Sequence, residues 1–285
     1  MGFSTMPGSG DLVALEDQAA FAAILDILNE RCGADFRRYR LATVRRRVLN
    51  RMISVRARTF QDYLRLLSAS ADEPDHLLSR VTIKVSRFYR NKVTFDALRR
   101  DVLPALLAAQ SHSQLRILCA GCGEGEEPYT LAMLLEEARA PGTIEAIDLD
   151  PRALAAAAVG RYEQAALAEL PADFIERYLE PTGNEFSVRE SIRRRVTFNR
   201  RDIAAWRQPD SRELYDLLCC RNVLIYFERE VQERILGALC RSVRPGGFLC
   251  LGEAEWPMPP IAMMLQPLPH KTRLFRVNSA IRHVQ

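Results

Sequence analysis

The run Ala120-Gly-Cys-Gly-Glu-Gly125 places glycines at 121, 123 and 125 directly after the apolar stretch Leu115–Cys119. Glycine admits backbone angles closed to other residues and lets a ligand reach the main chain. A helix beginning just beyond such a loop presents unpaired N–H groups. At the carboxyl end of a first strand, this is the layout that parallel α/β folds use for nucleotides. The dehydrogenase fingerprint G-x-G-x-x-G would need glycine at 126, where Glu126 stands, and no G-x-x-x-x-G-K-[ST] run occurs. Glu126 and Glu127 repel a pyrophosphate and suit a ligand carrying positive charge, although acids here also favour the helix dipole. Asp148, 23 residues past Gly125, ends a second strand, where an acid accepts hydrogen bonds from ribose hydroxyls. Together these features describe a nucleoside with a cationic tail.

S-adenosylmethionine is such a molecule, and Gly121, Gly123, Glu126, Glu127 and Asp148 are read as residues that hold it. Asp150 precedes Pro151 and reads as a helix N-cap with proline at the first helical position. Asp202, after a third strand, is placed to meet the adenine amino group, or else is an aspartate of a solvated turn. After a fourth strand comes Cys220-Arg-Asn-Val-Leu-Ile-Tyr-Phe227, at the strand end that faces the reacting methyl group in this fold. It lacks the Asn-Pro-Pro-aromatic pattern of amino-methylases, and no Pro-Cys pair serves base C5 chemistry. Arg221, Asn222 and Tyr226 are polar groups in an apolar setting, and Tyr226 also fits a buried ring with a satisfied hydroxyl.

The elements that must position these residues follow from periodicity. Residues 11–85 read as a small helical domain after a disordered terminus at 1–10, with helices at 15–28, 41–52, 61–67 and 75–85. At 100° per residue, Arg40, Arg47 and Arg51 share one flank of the second helix. Residues 86–285 alternate strands and helices, which predicts a parallel sheet with helices on both faces. Arg244-Pro-Gly-Gly247 reads as a turn feeding a strand at Phe248–Leu251, and the last strand spans 272–277. Residues 160–194 break the alternation, and a small antiparallel hairpin inserted at about 175–194 is expected there.

The 285 residues are 48% hydrophobic and 27% charged, which excludes global disorder. No stretch approaches the ~18–20 apolar residues of a membrane helix, and the first ten residues lack the basic start and apolar run of a secretory signal. The net charge is only +4, but ten arginines and one acid lie between Arg37 and Arg65, so an anionic partner is expected for this part. Seven cysteines are an odd number; Cys119 and Cys122 have no second ligand pair nearby, so no metal is expected. A reducing cytoplasm is the expected setting.

Four motifs resemble the CheR-type chemotaxis receptor methyltransferases: Tyr39-Arg-Leu-Ala-Thr-Val-Arg-Arg-Arg47, Val85-Ser-Arg-Phe-Tyr-Arg90, Gly125-Glu-Glu-Pro-Tyr-Thr130 and Arg221-Asn-Val-Leu-Ile-Tyr-Phe227. The resemblance extends from about residue 20 to 277. It implies a small all-α domain followed by a class I, Rossmann-like methyltransferase domain with an inserted antiparallel β-subdomain. It also implies methyl transfer from S-adenosylmethionine to glutamates on the acidic helical bundles of chemoreceptors, giving methyl esters. By the family pattern Arg90 and Tyr226 lie at the transfer site. Lys84, Ser86, Arg90, one of Glu126 and Glu127, Asp148, Asp202, Ile203, Arg221 and Asn222 then contact the cofactor. Arg40, Arg47 and Arg51 would meet the receptor, unless they form a solvated basic face. The family commonly has Asn at the position of Lys84, Thr at Ser86 and Asn at Asp202. The region around Thr182-Gly-Asn184 is shorter than in members that dock on a receptor's C-terminal tethering peptide, which weighs against such docking without deciding it. Two other readings stand beside this one: a cofactor-binding signalling module without catalysis, and an RNA methyltransferase. The scarcity of aromatics in the basic segment and the motif at 220–227 disfavour RNA.

Overall fold

The computed structural model describes residues 9–82, 86–109, 114–210, 213–269 and 272–278, with the side chains of 9–15 left aside. The chain divides into two compact units, residues 1–83 and 84–285.

The first unit holds α1 (Ser9–Cys32), α2 (Leu41–Ser54), α3 (Phe60–Ala69) and α4 (Glu73–Val81), with a 3-10 turn at Phe36–Arg38. The first helix starts at Ser9, inside the segment expected to be disordered. A capping box between Thr59 and Asp62 starts α3. The fourth helix ends at Val81 and not at 85, because Thr82 turns to extended angles. Ile24, Leu28, Phe36, Val48, Tyr63, Leu67, Leu77 and Leu78 fill the core.

The second unit begins with α5 (Lys92–Ala97), a π-helical segment at Leu98–Val102 and α6 (Leu103–Ala109). There follow β1 (Leu115–Ala120), α7 (Glu126–Glu137), β2 (Gly142–Asp148) and α8 (Pro151–Val159). The inserted piece comprises β3 (Arg161–Glu163), α9 (Ala172–Tyr178), β4 (Leu179–Thr182), β5 (Glu185–Val188) and α10 (Glu190–Arg193). The chain continues with β6 (Val196–Arg200), β7 (Tyr215–Cys220), α11 (Arg229–Ser242), β8 (Val243–Leu251), β9 (Leu265–Pro267) and β10 (Leu274–Val277).

The main sheet runs β6-β2-β1-β7-β8-β10-β9. The first five strands in that order are parallel, while β10 is antiparallel to both β8 and β9. Strand order reverses between β1 and β7, so a crevice opens beyond their carboxyl ends, where ligands bind in open α/β sheets. Ile117, Cys119, Ile144, Ala146, Leu217 and Cys219 face one core together with residues of α5, α6 and α7.

Three local expectations need correction. The insertion is a three-stranded sheet ordered β3-β5-β4 that starts at 161, not a hairpin from about 175. Gly160 at φ +67 ends α8 and turns the chain into β3, which at three residues is too short to show alternation. Arg244–Gly247 is not a free turn: β8 already begins at Val243, and a register shift opposite Tyr215 and Leu217 absorbs it as a bulge. The edge strand β9 was not expected, and β10 starts at Leu274, not at 272.

Candidate active site

The glycine loop is tied to β2, because the amides of Gly121 and Cys122 both donate to the Ile147 carbonyl, at 2.8 and 3.0 Å. Gly121 has φ +76, and a Cβ there would lie 2.2 Å from Val223 Cγ2. Only glycine lets the segment after β7 close on the loop. Gly125, at φ +99, starts α7, and a Cβ would press to 2.9 Å on both Ala157 and the Tyr162 hydroxyl. The Gly123 amide donates to Asp148 Oδ2 at 2.9 Å, so the loop and the expected ribose acid are one unit. Asp148 Oδ1 accepts from the Asp150 amide, and Asp150 caps α8 as its position before Pro151 predicts.

The two adjacent glutamates have different surroundings. Glu127 Oε2 lies 2.7 Å from Arg221 Nη1, and Cys119 Sγ donates to its other oxygen at 3.1 Å. Glu126 is 5% exposed, and its Oε2 has no hydrogen-bond partner. Burial pushes its pKa up to about 7 against the pull of hydrogen bonds that include one from Ser86. A buried carboxylate with an orphan oxygen is costly unless a donor completes it. A ligand with a cationic amine supplies that donor, so the residues present fit S-adenosylmethionine, and Glu126 is the acid of the pair that is open to it.

Arg221 is 3% exposed at its side chain and lies 5.1 Å over the Phe95 ring. Its Nη2 donates to the Arg90 carbonyl at 2.8 Å and to Asn91 Oδ1 at 2.6 Å. The guanidinium therefore joins α7, the Arg90 loop and the segment after β7. Glu127 outweighs the burial that would lower its pKa and keeps it charged. The two terminal nitrogens of Arg221 are thus engaged by protein groups, while its buried Nε has no hydrogen-bond partner.

Arg90 sits between two residues with positive φ, Tyr89 at 59° and Asn91 at 67°. Such angles cost energy in residues other than glycine and persist only where the surroundings fix them. The fixing groups are Thr130, which accepts from the Tyr89 amide at 3.1 Å, and Glu169, which accepts from the Asn91 amide at 3.0 Å. Arg90 itself is half-buried.

Asn222 has φ +60, and Tyr226, half-buried, ends a 3-10 turn over Leu224–Tyr226. One carboxylate organises this stretch. Glu255, 4% exposed, accepts from the amides of Asn222, Val223, Leu224 and Gly252 at 2.6–2.9 Å. Burial raises its pKa while those four amides oppose the rise. Sequence reasoning missed it, since nothing in the linear order separates Glu255 from Glu253. Asp202 caps the 3-10 turn Ile203–Ala205 by accepting from the Ala204 amide at 2.8 Å, and Ile203 is buried. Lys84 lies outside the described residues.

The arginine flank of α2 needs correction. Arg40 is exposed at the N-cap of the helix. Arg47 is 8% exposed and donates to the Val81 carbonyl at 2.6 Å. Arg51 forms a fork on Glu73, with contacts of 2.8 and 2.6 Å, and Glu73 also accepts from the Tyr63 hydroxyl at 2.7 Å. Arg47 and Arg51 thus hold α2 to α4 instead of facing outward, because arginine at these positions reaches buried acceptors that helical periodicity does not reveal. Cys119 and Cys122 are buried thiols whose pKa burial raises. No group of three or more metal-ligating side chains occurs among the described residues.

The family models match in the same two pieces. Residues 19–82 match the CheR methyltransferase all-alpha domain, and residues 84–266 match the CheR methyltransferase SAM binding domain. An uncharacterized 104.1 kDa protein of Rhodobacter capsulatus is 36% identical over 86% of this chain, which spans only 26% of that protein. A chemotaxis protein methyltransferase of Listeria monocytogenes is 34% identical over 78% of this chain and 84% of its own length. A probable biofilm formation methyltransferase WspC of Pseudomonas putida is 32% identical over 80% of this chain and 54% of its own length. The glycine loop with its open acid, the Arg90 loop and the Asn222 turn meeting at the sheet tips therefore belong to a member of the CheR family of S-adenosylmethionine-dependent methyltransferases.

Proposed function

We propose that this chain transfers a methyl group to glutamate carboxylates on the cytoplasmic helices of chemoreceptors, giving methyl esters. The observation that carries the reading is the Arg221 network. It ties the backbone of Arg90 to the acidic start of α7 and stands one residue before the turn that leads to Tyr226. Homologues named for chemotaxis support the substrate class.

S-adenosylmethionine supplies a methyl group on a sulfonium. Glu126 and Ser86 would hold its cationic tail, Asp148 and the Gly123 amide the ribose side, and Asp202 and Ile203 the base. Asn222 would border the reacting end through its turn. The attacking carboxylate has a reference pKa near ~4.3 and is ionised at neutral pH, so the chain needs no general base. Its contribution is alignment, which supplies roughly 7–11 kcal/mol in favourable systems. Arg90 positions the incoming carboxylate, and the Tyr226 hydroxyl donates a hydrogen bond that orients the attacking oxygen. A tight ion pair would dull the nucleophile, so Arg90 acts best at the rim.

Incubation with methyl-labelled donor and a receptor cytoplasmic fragment tests the reading. Base-labile label on the protein is expected. Label that resists mild base, or label appearing only on added RNA, rejects it. Arg90→Ala and Tyr226→Phe are expected to lower turnover by more than ten-fold while calorimetric affinity for S-adenosylhomocysteine changes less. Equal loss of both would remove these two residues from the transfer step.

A further inference from the structure

We propose that Trp256 and Arg273 form a platform, beside the turn that carries Asn222 and Tyr226, on which the glutamate-bearing helix of the protein substrate docks. The proposal rests on the reading of glutamate transfer and adds the surface that recognises the acceptor.

Trp256 is 59% exposed, which leaves a large indole open to water. The Arg273 guanidinium lies 3.4 Å from the centre of that ring, and its Nε donates to the Glu253 carbonyl at 3.1 Å. Two contacts thus fix the cation on the ring, yet no carboxylate pairs with Arg273 among the described residues. A stacked guanidinium keeps its outer N–H edges directed at an incoming carboxylate. Met258 and Met263, two and seven residues further along the chain, are 37% and 79% exposed and carry side chains that adapt to varied partners.

The position of this surface gives it a purpose. Glu255, the neighbour of Trp256, holds the amides of Asn222, Val223 and Leu224. The platform is therefore one residue from the carboxylate that sets the transfer turn. An occupant must offer an apolar strip and a carboxylate together. A helix bearing glutamates a turn apart, with small apolar side chains between them, meets both demands. A polyanion such as RNA is matched less well, because Arg273 is the one cation stacked on this ring among the described residues and the neighbouring Glu253 is an exposed acid.

The test uses the whole chain and a purified cytoplasmic fragment of a chemoreceptor. Trp256→Ala and Arg273→Gln are each expected to raise the KM and the calorimetric Kd for the fragment by about ten-fold, while the Kd for S-adenosylhomocysteine stays within two-fold. That second constant reports an intact fold and cofactor site. Trp256→Phe is expected to restore most of the affinity. Arg273→Lys is expected to restore only part, since an ammonium cannot both stack and fork. If the unaltered chain forms the ester and neither substitution changes KM or Kd, the platform is overturned and glutamate transfer stands. If the substitutions weaken fragment binding but the unaltered chain makes no base-labile ester, the platform stands and glutamate transfer fails. If the unaltered chain does not bind the fragment, both are overturned.

Discussion

Glu126 and Glu127 are sequence neighbours with opposite duties, and burial with partner geometry separates them. Glu127 is neutralised by Arg221, while Glu126 is buried with an oxygen to spare and a pKa pushed up to about 7. An acid whose folded pKa lies above its ordinary 4.5 binds more protons in the folded chain than in the unfolded one. The contribution of Glu126 to the stability of the ligand-free chain therefore falls as pH rises through about 4.5 to 7. Burial raises Asp148 and Glu255 as well and adds to this slope, while Glu73, which Arg51 and Tyr63 hold low against burial, and Glu190, held low by Arg194 and Arg193, oppose it. Glu126→Gln is expected to flatten part of that slope in thermal melts at stepped pH. A cationic ligand favours the ionised form, so affinity for S-adenosylhomocysteine, which keeps the amine, is expected to rise between about pH 6 and pH 8, a window that brackets the raised pKa. Glu126→Gln should lose that rise and bind about ten-fold more weakly, as removal of a charge-assisted hydrogen bond implies. A pH-independent affinity in the unaltered chain would sink this assignment.

At the level of elements, the loops beyond β1 and β7 and the stretch after β8 form one assembly. Gly121 lets Val223 approach, and Glu255 holds the turn beneath it. Gly121→Ala places a methyl 2.2 Å from Val223 Cγ2 and forces a side chain on φ +76, so the two loops must part. Cofactor affinity is expected to fall at least ten-fold in calorimetry, with a lower melting temperature. Glu255→Gln keeps the size but exchanges one acceptor oxygen for a donor NH2 facing backbone amides. A displacement of about 1 Å in a reacting group can cost 10²-fold. A fall in kcat of ten-fold or more is expected, with a smaller change in the Kd for S-adenosylhomocysteine. Unchanged kcat would show that the turn is held by its neighbours alone.

At the scale of the whole molecule, arginines serve both as struts and as surface. Arg51 and Glu73 are nearly enclosed, with side-chain exposures of 15% and 7%. Removing one partner of such a pair leaves a stranded charge and costs about 3 kcal/mol. Arg51→Ala is therefore expected to lower chemical-denaturation stability by about that amount. Exposed Arg40, changed to Ala, should stay within about 0.5 kcal/mol. If Arg40 meets acidic receptor helices, its substitution raises the fragment's KM and reduces the salt dependence of that constant between low and moderate ionic strength. A docking role for α2 then rests on Arg40 and the helix's outer residues, not on Arg47 and Arg51. Indifference of the salt profile to Arg40→Ala would end that role.

Periodicity and local chemistry determined the helical first unit, the strand–helix alternation, the glycine loop, the Asp150 cap and the Arg221–Phe227 motif, because each depends on residues close in the chain. They reached Asp148 as well, whose place follows from where a strand stops. They did not reach Glu255, which acts 31 to 33 residues away from three of the four amides it holds. Nor did they show Arg47 and Arg51 turning inward, since a helical flank looks the same whether a carbonyl or water waits beside it. The three-residue β3 is too short for a pattern, and β5 supplies its partner only on folding. Tertiary structure alone decided which of two adjacent glutamates was paired and which was left open, because partners and burial come from strands and loops that sequence spacing does not bring together.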